Sequence, residues 1–167
     1  SLPMSTPAPI VPVAKPLELA LCAGPTEPPV LDITLGEQLA RAARRAPQRV
    51  ALIAGVPDPA ARRQWTYAEL HREALRTARA LCTRFRPGER VAVWAPNVPE
   101  WIMLEFGAAL AGLVLVTVNP GFRPREVEYV LKQSRAAGVF VVPSFRGNPM
   151  LDTVREVAGN CPELREI

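Results

Sequence analysis

Histidine, cysteine, lysine and aromatic residues are all scarce in this chain. Its 167 residues include one histidine, three cysteines and 2 lysines beside 18 arginines, and aromatic residues make up 6%. The cysteines, Cys22, Cys82 and Cys161, lie far apart without a CxxC pair, which excludes the common zinc sites and predicts free thiols in a reducing compartment. The single histidine, His71, is expected on the exposed side of a helix rather than in acid–base catalysis.

Phosphate-binding loops of the common kinds are also missing. The sequence contains neither a GxGxxG nor a GxxxxGK[ST] pattern. The first strand-to-helix turn of the predicted sheet, residues 95–98, has no glycine, which argues against a dinucleotide-binding domain. Carboxylates occur in pairs, Glu126 with Glu128 and Glu163 with Glu166, but they form no recognisable acid–base constellation and are interpreted as solvated helix faces.

The net charge of +4 is unevenly distributed along the chain. Residues 34–90 carry twelve arginines against five acids, a charge of +7, whereas residues 91–167 sum to −1 and residues 1–33 to −2. No aromatic residues interleave with these arginines as a stacking surface requires, so no nucleic-acid partner is expected. Two interpretations of the basic region stay open, namely solvated helix faces and peripheral contact with an anionic membrane surface.

The chain divides into two segments of different character. Residues 1–33 hold eight of the 19 prolines and show no hydrophobic periodicity, which predicts a flexible or surface-draped N-terminal arm. Ser1–Pro3, ahead of Met4, are typical of residues added for expression. Residues 34–167 alternate apolar runs with turn signals and are expected to form the folded part.

Five helices are predicted in the folded part from their start signals and their apolar faces. The start signals are Thr34–Glu37, Thr66–Glu69, Asn97–Glu100, Pro124 and Asn148–Pro149, and the expected ends include Pro47, Gly112, Gly138 and Gly159. The residues expected to face the core are Leu35, Leu39, Ala42, Ala43 and Ala46; Tyr67, Leu70, Ala74, Ala78, Leu81 and Phe85; Val127, Val130 and Leu131; and Leu151, Val154 and Val157.

Three apolar strands are predicted between these helices, at residues 90–95, 113–118 and 139–142. Near-continuous apolar strands separated by helices are typical of a parallel sheet covered on both faces. Right-handed crossovers then give an open, doubly wound α/β fold. The run from Trp101 to Val118, in which only Glu105 is charged, is interpreted as a buried helix and a buried strand divided by Gly112, rather than as a membrane span.

Two shorter elements complete the prediction. Residues 50–54 and 64–67 are expected to pair as a β-hairpin across a Gly/Pro/Asp loop, ahead of the parallel sheet. Residues 164–167 are expected to open a fourth strand. The fold class is therefore α/β, with a helix and a hairpin preceding the parallel sheet.

Six motifs, taken in order, resemble the beginning of AMP-forming acyl-CoA synthetases of the adenylate-forming superfamily. They cover roughly residues 30–167, and their combination is most similar to bacterial medium- and long-chain fatty-acyl-CoA synthetases. The motifs are TLGEQL at 34–39, PQRVALI at 47–53, WTYAEL at 65–70, GERVAVWAPNVPEW at 88–101, GAALAGLVLVTVNPGFR at 107–123 and EVEYVLKQS at 126–134.

The resemblance implies an enzyme that uses ATP, Mg²⁺ and coenzyme A to convert a fatty acid into its acyl-CoA thioester through an acyl-adenylate. The family's Ser/Thr/Gly-rich phosphate loop ending in Lys, its nucleotide-binding segments and its catalytic Lys are expected beyond Ile167. No catalytic, cofactor-binding or metal-binding residue is therefore assigned to this chain. Asn97, Trp101, Asn119 and Pro120, which lie in the family's motifs, are interpreted as capping, packing and turn residues.

The resemblance implies that residues 34–167 are the N-terminal portion of the large AMP-binding domain of a cytoplasmic acyl-CoA synthetase. Peripheral contact with the membrane is expected through the basic residues 34–90. By itself this portion is expected to be inactive and to bind none of ATP, Mg²⁺ and coenzyme A tightly. One alternative is a stand-alone, non-catalytic α/β module for protein or membrane contact. A second alternative, a nucleotide-binding domain with an unusual loop, is disfavoured by the missing glycine-rich loop.

Overall fold

The computed structural model describes residues 24–25 and 27–167. Most of the predicted arm, and with it Cys22, lies outside the described residues, and residues 24–25 and 27–33 contain no helix or strand. Residues Ile33–Ile167 form one compact unit. Its elements are α1 (Leu35–Arg45), β1 (Val50–Ile53), β2 (Gln64–Thr66), α2 (Tyr67–Cys82), β3 (Arg90–Trp94), α3 (Pro99–Leu110), β4 (Val114–Thr117), α4 (Pro124–Ser134), β5 (Gly138–Val141) and α5 (Met150–Ala158).

The three apolar runs pair as a parallel sheet in the order β4-β3-β5, which confirms the predicted fold class. Val91 of the central strand lies opposite Leu115 on one side and Gly138 on the other. β1 and β2 form the predicted antiparallel hairpin. Of the predicted fourth strand there is a single parallel bridge, between Gly138 and Glu166.

Successive residues of β3 enter different hydrophobic clusters, because side chains alternate between the two faces of a strand. Ala92 and Trp94 pack with residues of α4, β5 and α5, whereas Val91 and Val93 pack with residues of α2 and α3. All four side chains are at most 2% exposed. The sheet is thus covered by helices on both faces, as the strand composition predicts.

The two predicted capping boxes have different outcomes. At Thr66 both bonds form, since Glu69 accepts from the Thr66 amide at 2.8 Å and the Thr66 hydroxyl accepts from the Glu69 amide at 3.2 Å. At Thr34 only the hydroxyl caps the helix, accepting from the Glu37 amide at 3.1 Å. The Glu37 carboxylate instead binds Arg41 one turn later, so the full box predicted there is wrong.

The inward face of α1 also differs from the prediction. Leu35 is 51% exposed, while Gly36 is buried together with Leu39 and Ala43. A Cβ atom at Gly36 would lie 2.6 Å from the Leu110 side chain of α3. The close approach of α1 to α3 at this glycine turns Leu35 away from the core.

Two helix ends lie elsewhere than predicted. Val98, not Asn97, is the N-cap residue of α3, and no side chain caps that helix. α4 ends at Ser134, followed by Arg135 with a φ of +55°, so a non-glycine residue takes the left-handed position that usually favours glycine. Gly138 instead begins β5, where a Cβ atom would lie 2.5 Å from the Phe85 ring.

Three further expectations concern residues on and near the helices. His71 is half-buried rather than exposed. The apolar run divides at Gly112 into α3 and β4 as predicted. In the part of the chain that the structure describes, no helix combines the length and hydrophobicity that crossing a membrane requires.

Candidate functional site

The loops that follow β4 and β5 meet beside the last residue of β3. The chain runs from β3 outward to β4 and then crosses to β5 on the other side of β3, so the strand order reverses there. In open parallel sheets, ligands bind outside the carboxyl ends of the strands at such a reversal. The two loops enclose a cleft of about 530 Å³, lined by residues of segments 119–123 and 145–149. We refer to it as the carboxyl-edge cleft.

The first loop is fixed to the sheet by a buried tryptophan. The indole Nε1 of Trp94, a fully buried side chain, donates to the backbone oxygen of Asn119 at 2.8 Å. The side-chain oxygen of Asn119 in turn accepts from the Gly121 amide at 2.8 Å. The predicted turn at Asn119 and Pro120 is present, and its position is set by Trp94, a contact that the sequence does not indicate.

The second loop is a tight hairpin. Phe145 and Asn148 exchange two backbone hydrogen bonds, of 3.0 and 2.9 Å, across the central residues Arg146 and Gly147. Both central residues have positive φ, +48° and +78°. This conformation belongs to two-residue hairpin turns, in which both central residues are left-handed. The Arg146 guanidinium carbon lies 5.1 Å from the centroid of the Phe145 ring.

Two helices begin at the cleft. Arg123 and Pro149, which both line it, are the N-cap residues of α4 and α5. The side-chain Nδ2 of Asn148 donates to the backbone oxygen of Pro120 at 3.4 Å, and this hydrogen bond joins the two loops. The cleft is therefore lined by the N-cap residues of two helices and has two arginines, Arg123 and Arg146, among its lining residues.

The paired carboxylates noted in the sequence have structural partners instead of a shared site. Glu126 accepts from the Arg123 amide at 2.8 Å, and Glu128 lies 3.4 Å from the Lys132 ammonium group. Glu163 binds Arg135 at 3.1 Å.

Glu166 binds Arg84 at 2.9 Å. Glu163 and Glu166 lie outside the helices, so their interpretation as helix-face residues is wrong. Among the described residues, no group of three or more His, Cys, Asp or Glu side chains could hold a metal ion.

The remaining candidate residues are placed as follows. Cys82 is exposed and Cys161 is buried, and both are free thiols. Burial raises the pKa of the Cys161 thiol, which disfavours the reactive thiolate. Trp101 is half-buried and packs against the cluster between α2, α3 and β3, in line with its packing interpretation. Asn97 is exposed and caps no helix.

Reasoning from the sequence does not find the carboxyl-edge cleft, because it assigns residues 143–147 to no element and interprets Asn148 only as part of a helix start. The signal that could have found it is the tetrapeptide Phe145–Asn148, in which a glycine follows a charged residue between two hairpin-compatible residues. Even so, this turn lies close to Asn119 only because β5 pairs with β3 on the side opposite β4, and the tetrapeptide does not indicate that pairing.

A parallel sheet with helices on both faces and a cleft at its carboxyl edge defines a doubly wound α/β protein. Residues 39–166 match the family described as AMP-binding enzyme. This match covers more than half of the chain, and the chain belongs to that family.

The relatives with similar sequences are acyl-CoA synthetases and ligases. The chain is 37% identical over 138 residues to the putative acyl-CoA synthetase YngI of Bacillus subtilis, covering 82% of this chain and 24% of the relative. It is 31% identical over 149 residues to the mitochondrial medium-chain acyl-CoA ligase ACSF2 of Mus musculus, covering 89% of this chain and 23% of the relative.

A solved structure gives the same result. The Mycobacterium tuberculosis fatty acyl CoA synthetase superposes with a TM-score of 0.70 at 29% identity, covering 80% of this chain and 26% of that chain. The chain thus spans about a quarter of the length of the proteins that it matches.

Proposed function

We propose that residues 34–167 are the N-terminal scaffold of a fatty-acyl-CoA synthetase that activates a medium- or long-chain fatty acid. The observation that carries this proposal is the match of residues 39–166 to AMP-binding enzymes, whose similar relatives are named for acyl-CoA formation. The acid's chain length is the finer part of the proposal, and the fatty-acid names of the relatives support it.

The chemistry requires two steps, because a carboxylate is a poor acyl donor. A carboxylate oxygen attacks the α-phosphorus of ATP, the bond to the bridging oxygen breaks, and pyrophosphate leaves. The thiol sulfur of coenzyme A then attacks the carbonyl carbon of the acyl-adenylate, loses its proton, and AMP leaves. Binding groups that neutralise the phosphate charges accelerate the first step.

The described residues are assigned no part of this chemistry. The sequence contains no Ser/Thr/Gly-rich loop ending in Lys, and its segment 117–124, TVNPGFRP, has a single hydroxyl residue, Thr117, and no Lys. Among the described residues no group of three or more His, Cys, Asp or Glu side chains could hold a metal ion, and no step is routed through a metal here. We accordingly propose that the 167-residue chain alone is inactive and binds ATP and coenzyme A no more than weakly.

The test compares two proteins. The first is the protein that the native gene encodes. It is incubated with ATP, Mg²⁺, coenzyme A and either butyrate, octanoate or palmitate, and the AMP and acyl-CoA formed are quantified. The 167-residue chain is the matched control. AMP and acyl-CoA formation from octanoate or palmitate by the first protein alone is the expected result. A gene product that forms neither, or that prefers butyrate, contradicts the fatty-acid assignment.

A second candidate function is supported by exposed arginines of α1, of α2 and of the turn between α1 and β1. Arg44, Arg45, Arg49, Arg72 and Arg79 are exposed, and none of them forms an ion pair within the described residues. Such a surface attracts anionic lipids. It supports a cytoplasmic protein that contacts the membrane peripherally.

The membrane proposal is tested by sedimentation with vesicles. Vesicles containing phosphatidylserine should retain the chain at low salt and release it at high salt, whereas neutral vesicles should not bind it. The variant Arg72→Gln/Arg79→Gln should bind less. Absence of sedimentation with the anionic vesicles at low salt removes this candidate.

A further inference from the structure

A groove lined by five arginines lies at the amino ends of the strands. It consists of two clefts, of about 690 and 410 Å³, which adjoin because Arg86, Glu89 and Arg165 line both of them. We refer to the two clefts together as the amino-edge groove. Its arginines come from three separate parts of the chain and are Arg84, Arg86, Arg90, Arg135 and Arg165.

Three of these arginines are paired with glutamates and two are not. The pairs, with nitrogen–oxygen distances of 2.8 to 3.1 Å, are Arg165–Glu89, Arg135–Glu163 and Arg84–Glu166. Arg86 and Arg90 are exposed, and within the described part of the chain their side chains form no ion pair and donate no hydrogen bond. Two guanidinium groups of the groove are therefore available to an anionic partner.

The backbone that carries these two arginines is a closed turn. The Glu89 amide donates to the Arg86 oxygen at 3.1 Å, and the Glu89 carboxylate accepts from the Arg86 amide at 2.7 Å. Gly88, with a φ of +86°, takes the left-handed position within this turn, and its amide donates to the Gly112 oxygen at 2.7 Å. A partner that binds Arg86 and Arg90 therefore need not order the backbone that carries them.

The distribution of charge selects the kind of partner. Arginines spread along two adjoining clefts suit an extended anion better than a single small ion. The glutamates between them disfavour nucleic acid, whose phosphates are closely and evenly spaced. The one aromatic residue that lines the groove, Phe85, is buried and offers no stacking surface. A polypeptide whose carboxylates are separated by neutral residues matches this pattern.

We propose that the amino-edge groove is a docking surface for an acidic segment of a partner protein, whose carboxylates bind Arg86 and Arg90. A guanidinium group offers two parallel N–H donors that match the spacing of carboxylate oxygens. Because the groove is open to solvent, a Kd on the order of 0.1 mM at low salt is expected. This proposal does not depend on the acyl-CoA synthetase activity.

The test is a fluorescence anisotropy titration of a labelled peptide with the 167-residue chain. In the probe peptide glutamate alternates with glycine, and in the reference peptide glutamine replaces each glutamate. The glutamate peptide should bind at low salt and dissociate as the salt concentration rises, whereas the glutamine peptide should not bind. Complete displacement of the peptide by equimolar sodium pyrophosphate would indicate a site for a small anion and would contradict the proposal.

Matched charge variants test whether the groove is responsible. Arg86→Gln/Arg90→Gln should weaken binding of the glutamate peptide about tenfold or more, because two charge-assisted contacts are lost. Arg44→Gln/Arg45→Gln removes the same charge from the last turn of α1, and neither residue lines the groove. Binding should therefore be nearly unchanged in that control. Equal losses in the two double variants would show a general effect of net charge and would overturn the proposal.

A variant that strengthens binding separates docking from folding. Glu163→Gln releases Arg135 from its partner and should tighten peptide binding about threefold, because a third guanidinium group becomes available. A damaged fold does not produce such a gain. Unchanged or weaker binding in Glu163→Gln, or unchanged binding in Arg86→Gln/Arg90→Gln with a native amide spectrum, would show that the peptide does not use this groove.

Discussion

Arg165 holds both carboxylate oxygens of Glu89, with nitrogen–oxygen distances of 2.9 and 2.8 Å. Glu89 also accepts from the Arg86 amide at 2.7 Å, and Arg165 donates to the backbone oxygen of Arg84 at 3.0 Å. These bonds join the loop before β3 to a segment more than seventy residues later. They lie at the amino ends of the strands, opposite the carboxyl-edge cleft.

The first prediction concerns this pair under acid. The hydrogen bonds from Arg165 and then from the Arg86 amide hold the pKa of Glu89 below its ordinary value of 4.5. Its contribution to stability is therefore complete above about pH 4.5 and is lost as the pH falls through the lowered folded-state pKa. Glu89→Gln should lower Tm at pH 7, and its difference from the parent should shrink toward pH 3.

Thermal unfolding at several pH values checks this prediction. Glu156→Gln is the control, because Glu156 is exposed and has no ion pair within the described residues. A Tm difference for Glu89→Gln that is the same at pH 7 and pH 3 would show that the carboxylate charge does not contribute.

The second prediction concerns the anchor of the first cleft loop. Trp94→Phe removes the donor to the Asn119 oxygen and leaves a small cavity, so it should destabilise the protein by about 1–2 kcal/mol. Hydrogen exchange at Gly121 should also accelerate, because the turn loses its attachment to β3. Trp101→Phe is the matched control, since that indole is half-buried and makes no side-chain hydrogen bond among the described residues. Equal exchange at Gly121 in both variants would contradict the anchoring role.

The third prediction concerns the first residue of β5. Gly138→Ala places a methyl group 2.5 Å from a ring atom of the buried Phe85 side chain and should cost about 2 kcal/mol. Gly159→Ala should be nearly neutral, because nothing lies within 4 Å of its added Cβ atom.

Chemical denaturation gives the free energy of unfolding of both glycine variants, of Phe85→Leu and of Phe85→Leu/Gly138→Ala. The cost of Gly138→Ala is then compared between the parent and the Phe85→Leu background. If the alanine costs as much in the Phe85→Leu background as in the parent, the ring is not what makes Gly138 necessary.

The fourth prediction concerns the described thiols. Cys82 should react with a thiol reagent near pH 8 roughly 100-fold faster than Cys161, which is buried and whose pKa is raised by that burial. Peptide mass spectrometry after timed alkylation measures both rates, and denaturant should make them converge. Rapid labelling of Cys161 in the native protein would contradict its burial.

Strands and helix starts that depend on local chemistry are predictable from this sequence. The box at Thr66 forms because Glu69 has no stronger partner, and the three apolar runs pair as a parallel sheet whose central strand is buried on both faces. The box at Thr34 fails because Arg41, one turn later, competes for Glu37. Glu37 can bind either the Thr34 amide or the Arg41 guanidinium group, and the residue types alone do not decide between them.

The parts that could not be predicted depend on distant segments. Gly36 and Gly138 are explained only by Leu110 and Phe85, which approach them in the folded chain. The carboxyl-edge cleft likewise requires the crossing from β4 to β5 on the far side of β3. Family motifs give the architecture, but they do not locate a cleft made by two turns that begin at Asn119 and Phe145.

The alternation of side chains along β3 has a consequence for how the molecule unfolds. Val91 and Ala92 are neighbours in the chain yet belong to hydrophobic clusters on opposite faces of the sheet. If either cluster unfolds, one face of β3 becomes exposed, and the other cluster requires that same strand to stay in place. The two layers should therefore be lost in one cooperative transition, and damage to either face lowers the resistance of the whole unit to heat and proteases.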